Sequence, residues 1–143
     1  MNKYKVRGFT LFELLVSISI IGILMALISF SFSSAQRKAR DARRMQDLSG
    51  LQKAAEQYYG LANANYPANC SVGVSWAYGS QTILEAFPLD PKGVAYTASV
   101  CSSSAYCVCG AMEGNATAGN STGACVFSGI GSTGPFYCVK NQQ

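Results

Sequence analysis

The chain has 143 residues and a net charge of +4, with 49% apolar and only 13% charged residues. Soluble domains average about 25% charged residues, so a single domain with a membrane-embedded part fits better than a wholly soluble one. The absence of histidine excludes His-based general acid–base catalysis, Ser-His-Asp and Cys-His arrangements, and His-ligated metals.

The charge is patterned along the chain. Residues 1–8 hold Lys3, Lys5 and Arg7 and no acid, and residues 9–36 hold Glu13 alone. Leu14 to Phe32 is uncharged, about 30 Å of helix at ~1.5 Å per residue, enough to cross a hydrocarbon core. Basic residues ahead of such a run place the N-terminus in the cytoplasm and the bulk of the chain outside. Glu13 is wrong for a plain anchor, because a carboxylate in lipid is costly unless partnered. Cleavage after Ala35, at Ser33-Ser34-Ala35, would instead release a secreted module starting at Gln36, but the apolar run exceeds a signal h-region of about 7–15 residues.

Beyond the apolar run, Ala35, Ala39, Ala42, Met45, Leu48, Leu51, Ala55, Tyr58 and Tyr59 recur at helical spacing. They predict one helix continuing to about residue 61, some 50 residues or about 75–80 Å in all. Arg37, Arg40, Arg44, Asp47 and Lys53 lie off this stripe. The cluster Arg37–Arg44 reads as a juxtamembrane, solvated face, with contacts to neighbouring subunits second and DNA a weak candidate. Arg43–Asp47 and Arg37–Asp41 offer i,i+4 ion pairs.

Asn63-Ala64-Asn65-Tyr66-Pro67 ends the helix. Ser80 is expected to cap a short helix through about Phe87, before Pro88 and Pro91. Val94–Val100, Ala105–Met112 and Phe136–Val139 read as short antiparallel strands, and residues 114–134 as a Gly/Ser/Thr-rich loop. Tyr58, Tyr59 and Tyr66 are assigned to packing between helix and sheet. Trp76 and Tyr78 are assigned to local packing, with a surface anchor as the alternative. Asn115-Ala116-Thr117 and Asn120-Ser121-Thr122 fit the N-glycosylation pattern, read here as coincidence.

All six cysteines, Cys70, Cys101, Cys107, Cys109, Cys125 and Cys138, lie in the distal half. An even count in a small exported region reads as a disulfide framework. A thiolate metal site is the alternative, but Cys107-x-Cys109 lacks the two-residue spacing of zinc knuckles. Spacing alone does not choose among the roughly 15 pairings.

Lys5–Glu13, KVRGFTLFE, resembles the processing site of type IV prepilins and type II secretion pseudopilins: basic leader, Gly at the cut, Phe at the new terminus, Glu five residues in. The likeness runs along the helix to Tyr59 and includes Tyr66-Pro67. It also includes Phe87–Tyr96, FPLDPKGVAY, similar to the proline–aspartate–proline loop of major pseudopilins and small pilins. Residues 97–143 match only in outline.

The resemblance implies an α+β pilin fold, a long N-terminal helix packed on a small antiparallel sheet. Its parts would be a leader (1–8), an apolar transmembrane and filament-core helix (9–34), an amphipathic helix (35–61) and a Cys-rich β domain (62–143). A prepilin peptidase would cut between Gly8 and Phe9 and N-methylate Phe9. Subunits would then leave the inner membrane, through pilus or secretion assembly machinery, into an extracellular or periplasmic helical homopolymer. Glu13 would neutralise the Phe9 ammonium of a neighbour, setting its register. Where many pilins have a helix-melting proline, this chain has Phe30, and Gly22 is the remaining weak point, since Gly costs up to ~1 kcal/mol in a helix. Major pseudopilins often bind Ca²⁺ beside the Asp-Pro loop. Calcium takes about six to eight oxygens, and Glu85, Asp90 and Glu113 are far apart in sequence, so no cofactor or metal is expected. The main reading is a type IV pilus subunit serving adhesion, twitching or DNA uptake. The alternative is a type II secretion pseudopilin, toward which the Asp-Pro loop leans. An enzyme is not expected, since the distal acids lack paired spacing.

Overall fold

One helix, α1 (Leu11–Leu61), precedes five strands: β1 (Trp76–Tyr78), β2 (Gln81–Leu84), β3 (Thr97–Cys101), β4 (Tyr106–Ala111) and β5 (Phe136–Lys140). The computed structural model describes residues 8–114, 117–127 and 133–143. The leader before Gly8 and the sequon at Asn115 therefore lie outside the described residues. The chain divides into two units, Met1–Gln36 and Arg37–Gln143, with α1 contributing to both.

In the first unit every described side chain is exposed. The helix is long and apolar enough to cross a membrane, with mean hydropathy 2.6 in its most apolar window. Its serines are internally satisfied: the hydroxyls of Ser17, Ser19 and Ser29 donate to the carbonyls of Glu13, Leu15 and Met25, one turn back. Such bonds hide a hydroxyl where lipid offers no acceptor. The helix passes Gly22 and Phe30 unbroken, although the Phe30 side chain lies outside the described residues.

In the second unit α1 buries Leu48, Leu51, Ala54 and Ala55 against Tyr106, Val108 and Val139 of the sheet β3-β4-β5. Central β4 is buried on both faces. Tyr106 and Val108 join the helix-side cluster, while Cys107 and Cys109 face a second cluster with Ala124, Cys125, Phe127 and Phe136. Gly110 lets the helix approach closely, because a Cβ there would sit 3.2 Å from Leu48. Cys109 and Cys138 are direct cross-strand partners in the β4–β5 register.

The inward face of the helix differs from the expected stripe at its start. Ala39 and Ala42 are exposed, while Asp41 and Arg44 are 5% and 2% exposed. Stepping back from Leu48 by four and then three reaches Arg44 and Asp41, not Met45 and Ala42. Charged residues hold the inward positions there because other charges meet them. Arg43 pairs with Asp47 at 4.0 Å as expected, but Asp41 turns to Arg44 at i,i+3 instead of Arg37.

The helix ends at Leu61, with Asn63 and Ala64 at φ 52° and 60°. The Ala64 N–H donates to Tyr59 O at 3.2 Å, and the Asn65 side chain donates to Ala62 O at 2.9 Å. A left-handed L-residue costs about 1–2 kcal/mol, and glycine returns part of this as unfolded-state entropy. Ala64→Gly is thus expected to stabilise the chain by about 0.5–1 kcal/mol, read as a raised Tm of the full chain in detergent. A lowered Tm would contradict it.

The short helix expected from Ser80 to Phe87 is a strand, β2, paired with β1 through Tyr78↔Gln81. Gly79 and Ser80 form the two-residue loop, and Gly79 has φ 61°, the II′ geometry that favours hairpins. Trp76 is buried, donates Nε1–H to Asn69 O at 2.7 Å and packs edge-on to Phe87. Tyr78 packs on Tyr58, while Tyr66 contacts Tyr59 and Tyr106.

Within residues 117–127, Gly119 bridges to Gly134 and Ser121 to Phe136. A Cβ on Gly119 would fall 1.9 Å from Phe136 O, so only glycine fits. The Asn120 carboxamide is spent on β5, accepting from Cys138 N at 2.7 Å and donating to Cys138 O at 2.9 Å. It is thus a loop anchor and offers no free amide for glycosylation.

Candidate functional site

At the start of α1, Gly8 and Phe9 precede the helix and are exposed. Thr10 and Glu13 close a capping box. The Thr10 N–H and hydroxyl donate to Glu13 Oε2 at 2.9 and 2.8 Å, and the Glu13 N–H donates to Thr10 Oγ1 at 3.2 Å. A T-x-x-E sequence ahead of an apolar run forms this arrangement because it satisfies two N–H groups that the first turn leaves bare. Glu13 therefore starts the helix as well as carrying its charge. Among the described residues no cation pairs with it.

The second constellation joins three segments of the second unit. Arg44 donates from Nε to Asp90 Oδ2 at 2.5 Å, from Nη1 to Asp41 Oδ1 at 2.7 Å and from Nη2 to Glu113 Oε1 at 2.7 Å. Arg40 forks onto both Glu113 oxygens at 2.9 and 2.6 Å, the strong bidentate geometry. Lys92 Nζ lies 3.0 Å from Glu113 Oε2. Asp41 also accepts the backbone N–H groups of Glu113 and Gly114 at 2.9 and 2.8 Å.

The Asp-Pro loop is pre-shaped for this. Gly93 N–H donates to Asp90 O at 2.7 Å, Asp90 N–H donates to Val94 O at 3.0 Å, and Gly93 has φ 77°. Pro91 at the second position and a left-handed Gly93 at the fourth make a tight hairpin turn that aims Asp90 at the helix. Burial alone would lower the Arg44 pKa, but its bonds to Asp90, Glu113 and Asp41 outweigh this and raise it. The Arg40 fork holds the Glu113 carboxyl well below the usual range, helped by Lys92 and Arg44. Nearby, burial and the hydrogen bond to Asp47 push the Tyr96 phenol up.

Three disulfides brace the sheet: Cys70–Cys101, Cys107–Cys125 and Cys109–Cys138. The Cys107, Cys109 and Cys125 sulfurs lie together, but each is oxidised, so this cluster offers no thiolate ligands.

The family model for the prokaryotic N-terminal methylation motif matches residues 3–29. Type II secretion system core protein G of Escherichia coli (strain K12) is 33% identical over 92 residues, 64% of this chain and 58% of that protein. Core protein G of Pectobacterium carotovorum subsp. carotovorum is 35% identical over 65 residues, 46% of this chain and 41% of that protein. That of Aeromonas hydrophila is 36% identical over 67 residues, 47% of this chain and 46% of that protein. Together these matches support a place for the chain in the type IV pilin and pseudopilin family. The chain spans about half the length of the curated relatives it matches. No solved structure matches it.

Gly8, Phe9 and Glu13, which the sequence singles out, stand together at one helix start. Thr10 was missed, although T-x-x-E before an apolar run is itself a capping signal. The Arg40, Asp41, Arg44, Asp90, Glu113 cluster was missed too. Arg37, Lys38 and Arg43 are exposed, as a solvated face requires, but Arg44 is buried and Arg40 is engaged with Glu113. That removes two cations from the face once considered for DNA.

The calcium that resemblance to major pseudopilins implies does not fit these residues. Asp90 and Glu113 do converge beside the Asp-Pro turn, despite their separation in sequence, but on a buried guanidinium. Hard oxygen ligands already saturated by N–H donors, with three cations among them, do not make a divalent-cation cage.

Proposed function

We propose that the chain is a pseudopilin-type filament subunit of a type II secretion system and has no enzymatic activity. A prepilin peptidase cuts it between Gly8 and Phe9 and methylates Phe9. The apolar helix holds the precursor in the inner membrane until secretion machinery draws it into a periplasmic homopolymer. The observation that carries this reading is Glu13: a lone carboxylate on the exposed, otherwise uncharged stretch 9–36 of the chain. Such a group calls for a cation from another chain, and the Phe9 ammonium of a neighbour supplies it at one stagger. The relatives that match are core protein G of type II secretion, which favours the pseudopilin over the surface pilus. A type IV pilus is the second reading, favoured by the three disulfides, since exposure outside the cell rewards covalent bracing.

Mass spectrometry of the N-terminal peptide, run separately on the sheared surface fraction and the membrane pellet, tests this. N-methylated Phe9 confined to the pellet and periplasm is the expected result. Abundant methylated Phe9 in the sheared fraction would replace the pseudopilin with the pilus. A terminus at Gln36 would overturn both and leave a secreted module.

A further inference from the structure

We propose that Arg44 acts as an internal cation that joins the Asp-Pro turn to the helix, so that this subunit has no place for the calcium that resemblance to major pseudopilins implies beside that turn. The donor census carries the argument. Asp41 Oδ1 accepts from Arg44 and Glu113 N, and Oδ2 from Gly114 N. Asp90 Oδ1 accepts from Lys92 N, and Oδ2 from Arg44. Glu113 Oε1 accepts from Arg40 and Arg44, and Oε2 from Arg40 and Lys92. All six carboxylate oxygens are taken by N–H donors. Three cations balance three anions, so a divalent ion would enter a neutral, partly dry cluster and first have to expel a guanidinium.

A guanidinium suits the task. Its planar fork reaches three carboxylates in three directions, stays charged at every working pH, and sheds water more readily than an ammonium. Unlike a bound ion, it is fixed to the helix one turn before Leu48, so the turn is located by the packing of the core itself. The exposed apolar residues flanking the turn, Leu89 and Val94, are thereby held at a set place on the surface.

The test uses the full chain in detergent and does not depend on the filament reading, because it concerns one subunit. Thermal unfolding and isothermal titration are run with excess Ca²⁺ and with EGTA. The expected result is no heat of binding and an unchanged Tm in both. A saturable rise in Tm with Ca²⁺, or a fall with EGTA, would overturn the proposal. Arg44→Gln is expected to lower Tm by about 10 °C or more, and Arg44→Lys, which keeps the charge, by clearly less. Equal losses would show that the charge is irrelevant and also overturn it. Should the Gln variant fail to fold, the wild-type titration still decides.

Discussion

A chain carrying Glu13→Leu is expected to insert and to be cut after Gly8, yet to accumulate in the membrane, with assembled filament reduced at least tenfold. Two effects act in one direction. The leucine removes a side chain whose presence in a bilayer costs several kcal/mol, so the unassembled state is relieved. On the proposed pairing it also leaves the Phe9 ammonium of a neighbouring subunit without its counter-charge in a low-dielectric core, where an unpaired charge costs more than the pair contributes. A difference of about 1.4 kcal/mol already shifts an equilibrium tenfold.

Because Glu13 also caps the helix, the leucine variant confounds two losses. Glu13→Gln separates them: an amide oxygen still accepts from Thr10, so the capping box survives, but the charge is gone. If charge pairing governs assembly, the Gln variant fails nearly as completely as the Leu variant while the helix starts normally by circular dichroism. Filament yield at wild-type level in the Gln variant would sink the pairing role. The readout is quantitative immunoblotting of sheared, soluble and membrane fractions.

Much of this architecture is legible from local chemistry. The helix is written in period and composition, and its end in Asn63 to Pro67. The strands β3, β4 and β5 are written in β-branched and aromatic runs. What escaped depended on partners distant in sequence. The Gly79-Ser80 pair is a hairpin signal, but Ser80 before Gln81-Thr82-Ile83-Leu84 also reads as a helix cap, and only pairing with Trp76–Tyr78 decides between them. The helix phase near Arg44 was misread for a related reason. Hydrophobic periodicity assumes that the buried face is apolar, whereas here three inward oxygens-and-nitrogens groups, Asp41, Arg44 and Glu113, meet across some 70 residues of chain. The Cys109–Cys138 pairing follows the β4–β5 register, which composition does not reveal. The N-terminal site was readable because its parts lie within six residues of one another.

Asp41→Ala is expected to be strongly destabilising, costing about 3–5 kcal/mol, the usual penalty for breaking a buried ion pair from one side. The change takes one of three carboxylates from the buried Arg44 guanidinium and strands two backbone N–H groups, those of Glu113 and Gly114. Acid should reach the same cluster by another route. Burial pushes the Asp90 carboxyl up, but Arg44 and the Lys92 N–H outweigh it and hold it below the ordinary value. Glu113 is held lower still by the Arg40 fork. A carboxyl with a depressed folded pKa binds fewer protons folded than unfolded, so its contribution is complete above the unfolded value and is lost as pH falls through the folded one. Stability should therefore be level above about pH 5 and decline below about pH 4. The chain has no histidine, so no side chain with an ordinary pKa changes charge between about pH 5 and 8. Thermal melts of the full chain in detergent across this range measure the profile. Glu113→Gln should start from a lower plateau and fall less on acidification, because the group that titrates has been removed. A wild-type Tm that rises as pH drops from about 5 to 3 would mean that these carboxylates are not held by Arg40 and Arg44 in the folded chain.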